Sequence, residues 1–209
     1  MNDANRMHIA KVEFEEAREL ADYASIFQDL AFVLDVLDRL HGLLGEKEPD
    51  AVVVQAYWTA ALVGYVRCFS TGRRVGLSES IFEGIQGAEQ SAVEVHRHFK
   101  AMRDKNIAHS VNPFEQVEVG VVLTPPDAPV RKIDGVATLA MRHISSTPEG
   151  VESLQELARI ARRKTGQECQ RLQQASLEVA GTLDLDELYE TVTIRTTAPA
   201  PEEVSQPRT

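Results

Sequence analysis

The chain has 209 residues, 43% of them hydrophobic, which suffices for one main domain with a sizeable core and is too little for two large lobes. A formal charge of -10 argues against a protein that coats DNA or RNA by bulk electrostatics, because such binding neutralises many phosphates. A small local basic site is still permitted. Cys68 and Cys169 lie in segments that read as helical and share no metal-ligand spacing, and the acidic start MNDANRMHIAKVEFEEAREL lacks the apolar run of a secretory signal. A cytoplasmic protein with free thiols is expected.

Apolar residues from Phe14 to Leu44 recur at steps of three and four, which predicts a long amphipathic helix over about Lys11 to Leu44, with room for one break. Gly45 and Pro49 in GEKEPD punctuate its end. The next helix runs from about Asp50 to Ser70. Its segment Ala51 to Val66 is uncharged, but it falls short of the roughly 20 apolar residues that cross a bilayer, so it is expected as a central buried helix and no membrane partner is expected. TGRRVGLSES reads as a polar connection and IFEGIQGAEQ as a short or irregular helical piece.

A third helix is predicted from about Glu89 to Ala108, with Ala92, Val95, Phe99, Met102 and Asn106 on one line, and Pro113 requires it to stop by His109 or Ser110. The period then changes to two: QVEVGVVL reads as a strand, with Gly135 to Ser145 as its partner across a connection long for a tight hairpin. Ser146 or Thr147 caps a fourth long helix to Ala180, in which Gly166 is a point of bending. A final extended run is expected near Glu190 to Arg195, followed by a proline-rich polar tail over 196–209 that cannot build a core. The expected fold is mainly α, a bundle of about four long helices in one domain over 1–195. A small β element of two or three strands lies around 115–146 and after the last helix.

The chemistry-bearing residues concentrate in FKAMRDKNIAHS. Read plainly, Arg103, Lys105 and His109 are cations at a helix C-terminus, where each interacts with the dipole and the free carbonyls by roughly 0.3 to 1 kcal/mol. Asp104 does not suit that role. At about 100° per residue, Arg103 and His109 fall about 60° on either side of Asn106 and border the packed face of Phe99 and Met102. Burial there adjusts a histidine for proton transfer near neutral pH, and an arginine beside it offers a permanently ionised fork for a phosphate.

The run Arg103-Asp-Lys-Asn-Ile-Ala-His109 resembles the Arg-polar-x4-6-His motif of the HEPN superfamily, and RDKNIAHS matches its RDKxxAHS form, with the preceding HRHFKAM extending the likeness. The resemblance covers about the first half of the chain, to Pro113. It implies a helical domain of prokaryotic toxin, abortive-infection and RNA-processing systems, acting as a homodimer, with RNA as substrate and a cognate antitoxin as partner. The implied activity is metal-independent RNA cleavage by the RNA's own 2′-hydroxyl, with His109 transferring the proton, Arg103 stabilising phosphate charge and Asp104 orienting one of them; Asn106 completes the candidate site. No metal or cofactor is implied. Some members serve only as binding or dimerisation modules.

Between positions 67 and 109 seven bases face five acids, so this span is positive in an acidic chain. Arg67, Arg73, Arg74, Lys100 and Lys105 form a candidate RNA-binding set if folding gathers them, and a solvated, charge-balanced face if it does not. His96, seven residues before Arg103, shares its side of the helix and could join the site, although a core-edge histidine is the plainer reading. His96 and His98 point apart and cannot hold a common ion. Walker, GxGxxG, HExxH and GxSxG patterns are absent from the sequence. Two alternatives to the ribonuclease stand: a non-catalytic helical dimerisation or interaction protein, and a binding module for an anionic nucleotide built on Arg103 and Arg67.

Overall fold

The spacing of the N-terminal apolar residues is realised as one unbroken helix, α1 (Glu15–Leu44), in the computed structural model of the chain. The structure describes residues 9–70, 72–85, 91–107, 115–142 and 147–191, with the backbone alone described at 106, 107, 115, 116, 141 and 142. The carboxylate of Asp50 accepts from the Val52 and Val53 amides at 2.9 and 3.2 Å and so starts α2 (Ala51–Arg67). A 3-10 turn, Glu79–Phe82, follows. A reciprocal cap then opens α3 (Ala92–Met102): the Ser91 hydroxyl accepts from the Glu94 amide, and the Glu94 carboxylate accepts from the Ser91 amide at 2.9 Å. The chain goes on through a π-helical turn, Arg103–Ile107, to strands β1 (Glu115–Leu123) and β2 (Ile133–Arg142). Helix α4 (Pro148–Ala180) comes next, with the Thr147 hydroxyl accepting from the Gly150 amide at its start, and the short α5 (Leu185–Glu190) follows.

The chain is mainly helical, with a small two-stranded antiparallel sheet between helices. It divides into two compact units, Met1–Ala21 with Gln170–Thr209, and Asp22–Cys169. In the smaller unit Leu172 is buried, and Asp184 caps α5 by accepting from the Asp186 and Glu187 amides. The larger unit holds the helical bundle. Its core takes Ile26, Leu30, Val33, Leu37 and Leu40 from α1, Trp58, Leu62 and Tyr65 from α2, Phe99 from α3, and Val151, Leu154 and Ala158 from α4. Trp58 meets Phe99 edge to face at 5.9 Å, which seats α3 on α2. Gln155 of α4 donates to Asp38 of α1 at 2.7 Å, satisfying a polar side chain that packing has buried.

Several expectations need correction. The possible break in α1 does not occur, and α4 runs through Gly166 without interruption. Gly166 instead makes room for a ring: an added Cβ would sit 3.2 Å from Phe27, whose face also carries the Arg162 guanidinium at 4.4 Å. α2 is not buried all round, since Val52 and Val63 are exposed on its outer side. The helical part of α3 begins at Ala92, and the predicted Glu89 lies outside the described residues. Glu190 ends a helix rather than opening a strand, and 192–195 lie outside the described residues. No helix among the described residues is long and apolar enough to cross a membrane.

Candidate functional site

The residues of the motif sit where α3 stops being an α-helix. Ser91 and Glu94 fix its first turn, and Phe99 and Met102 pin its last turn to the core. From Arg103 to Ile107 the backbone takes the wider π-helical form and packs against α2. π-Helical turns are rare and frequent at functional sites, because the wider turn re-aims side chains that a regular helix would stack. The angular relation expected for Arg103, Asn106 and His109 assumed a regular helix through the motif, and over Arg103–Ile107 the backbone is π-helical instead. Asn106 is described by its backbone alone, and His109 lies outside the described residues.

Arg103 is half-buried, with 27% of its side chain exposed, and donates from Nη1 to Asp104 Oδ1 at 2.7 Å. Adjacent residues thus form an ion pair at the mouth of the turn. Among the described residues Asp104 takes one of the five N–H donors, a fork whose geometry suits an anion. Lys100 and Lys105 are exposed on either side of Arg103 in sequence.

The other candidate cations are placed differently. Arg67 and Arg74 converge on one carboxylate, Asp29 of α1: Arg74 reaches it at 2.7 Å, and Arg67 grips both of its oxygens. Arg74 also donates to the Ser25 hydroxyl at 3.0 Å and to the Arg67 carbonyl at 3.3 Å, and the Val75 amide donates to Asp22 at 3.1 Å. Together these bonds fasten the connection after α2 to α1. Arg73 is exposed, and Arg97 is paired with Glu79 at 2.6 Å. The positive balance of the segment is therefore reduced by an acid from another helix. The counterions were legible in principle: Asp22, Ser25 and Asp29 lie at steps of three and four on one face of α1.

His96 is a core residue, only 2% exposed, and not a surface ligand for RNA. Its ring sits among Phe69, Phe82 and Tyr65 at centroid distances of 4.4, 5.1 and 5.7 Å. The Tyr65 hydroxyl lies 2.8 Å from Nδ1. Burial pushes that hydroxyl well above the ordinary phenol range, so it keeps its proton, and the tautomer of the imidazole sets which of the two donates. Burial also lowers the imidazole to about 4, against the pull of Glu79 and with Lys100 and Arg97 adding to the effect. A ring held neutral in this way is a packing element. His98, two residues on, is exposed, as the opposed directions require.

Cys68 is buried at the end of α2, its thiol 3.3 Å from the Gly64 carbonyl, and burial with Asp29 nearby pushes it up to about 12, outside the range of a nucleophilic thiolate. Among the described residues no group of three or more His, Cys, Asp and Glu side chains could hold a metal ion. Comparison with protein-family models, curated proteins and solved structures finds no match.

Proposed function

We propose that the chain is a HEPN-like, metal-independent endoribonuclease of a toxin or phage-defence system, with Arg103 and His109 acting on an RNA phosphodiester. The reading is carried by Arg103 itself: a half-buried, carboxylate-held guanidinium at a π-helical turn within the run RDKNIAHS. In this mechanism His109 takes the proton of the ribose 2′-hydroxyl, whose oxygen attacks the adjacent phosphorus as the bond to the 5′-oxygen breaks. Arg103 stabilises the charge of the five-coordinate phosphorus with its guanidinium, which Asp104 orients. The departing 5′-oxygen takes a proton from water as the His109 imidazolium returns its proton to solvent, and the products are a 2′,3′-cyclic phosphate and a 5′-hydroxyl. Purified protein incubated with total RNA in EDTA should cleave it, and Arg103→Ala and His109→Ala should each cost at least about 100-fold, as loss of a positioned acid-base or charge-stabilising group does. Equal cleavage by all three proteins would refute the assignment.

A second reading, a non-catalytic interaction protein, is favoured by two observations: Asp29 neutralises part of the basic set, and His96 is withdrawn into the core. It expects no RNA turnover by the wild-type chain. The nucleotide-binding alternative loses an arm, because Arg67 is committed to Asp29.

A further inference from the structure

The sheet is two-sided in composition. Residues directly opposite one another across an antiparallel pair share a face, and the register sets Val117 against Ala140, Val119 against Thr138, Val121 against Val136 and Leu123 against Ile133. This face contains no charged residue. The other face is mixed: it carries Glu118, Gly120, Gly135 and Ala137 together with the exposed Val122 and Leu139. A bulge near Val122 and Leu123 leaves Asp134 as the extra residue, ion-paired with Lys132 at 2.8 Å near the hairpin tip. The long connection is closed by Thr124, whose amide donates to the Lys132 carbonyl at 3.1 Å and whose hydroxyl accepts from the Lys132 amide at 3.1 Å.

The apolar face is uncovered: Val117, Val119, Val121, Leu123, Ile133 and Val136 are each between 57% and 70% exposed. A two-stranded ribbon by itself is at best marginally stable in water, and a contiguous aliphatic face of this kind marks a docking surface. We infer that this face docks on the same face of a second copy of the chain, so that two ribbons stack as a small four-stranded sandwich.

Three observations select that occupant. At about 100 Å² for each of six exposed aliphatic side chains, one face offers roughly 600 Å² and a pair of faces about 1,200 Å², the lower end of what a specific interface buries. The face is also self-complementary. A twofold axis between its two middle pairs, Val119 with Thr138 and Val121 with Val136, lays largely β-branched rows against one another with no charge at the contact, at the roughly 10 Å spacing of aligned sheets. Finally, the chain carries a net charge of -10, and two copies approach with least repulsion through a neutral surface. RNA would find no cation there for its phosphates, and a bilayer would have to accept both open edges of the ribbon.

Sedimentation velocity on the full chain up to about 100 μM tests this, the range suited to an interface at the lower size limit. A reversible dimer is expected at the upper concentrations. The double variant Val119→Glu, Val121→Glu should weaken it by at least about tenfold, through like charges meeting across the axis, and Glu118→Gln on the opposite face should leave it unchanged. Helical circular dichroism and its melting curve establish that each variant keeps its folded bundle. A wild-type chain that stays monomeric, a dimer unaltered in the folded double variant, or equal weakening by Glu118→Gln would overturn the inference. None of these readouts depends on RNA cleavage, so the dimer and the ribonuclease stand or fall separately.

Discussion

Lowering the pH charges a histidine that the core holds neutral, and the structure sets how much stability that removes. Burial lowers His96 to about 4 in the fold against 6.5 in an open chain, because protonation places a cation among Phe69, Phe82 and Tyr65. The folded value is depressed, so between these two points the unfolded chain binds the proton first. Stability from this residue is complete above 6.5, falls as the pH drops towards 4, and levels off below it; the full difference is about 3 kcal/mol. The exposed carboxylates Glu79 and Glu94, lowered chiefly by bonds from Arg97 and Ser91, also lose stability in acid and form a background. The double variant Tyr65→Phe, His96→Leu removes the titrating ring and the hydroxyl it partners together, so neither polar group is stranded. Urea unfolding followed by helical circular dichroism, from about pH 7.5 to 4.5, should show the wild type losing about 2 to 3 kcal/mol more than the variant. Parallel losses in the two proteins would refute the claim that burial controls this histidine.

Asp29→Ala should destabilise the larger unit by about 2 kcal/mol, because Arg74 is left partly buried without its carboxylate, whereas the exposed Arg67 contributes little; an unchanged urea midpoint would count against the clasp. Gly64→Ala places a Cβ 2.9 Å from the Val33 methyl where α2 crosses α1. The overpacking should outweigh the gain in helix propensity and lower stability by about 1 kcal/mol, and a rise in the melting temperature would contradict that close approach.

Much of the fold is legible in residue spacing. The steps of three and four in α1 and α4, the change to alternation at QVEVGVVL, and caps such as Asp50, Ser91 and Thr147 are local signals, each acting within a turn or a strand. The hairpin was harder to read because its nine-residue connection depends on Thr124 and Lys132 meeting across it. The candidate site was legible as a motif and not as an environment. Spacing brought Arg103 and Asp104 to the end of α3, but a regular helical projection could not foresee the π-helical turn that re-aims them.

What the sequence by itself determined, then, is the order and type of the long helices and of the hairpin strands, since these depend on neighbours a few positions apart. Only the tertiary structure decided which charges are free. Asp29 reaches Arg67 and Arg74 from 38 and 45 residues away, and Tyr65 closes on His96 across 31, so a count of nearby bases overstated the basic patch, and the histidine read as core-edge or site residue lies fully in the core. Electrostatics and burial are settled by whichever helix packs opposite, and that is a property of the fold as a whole.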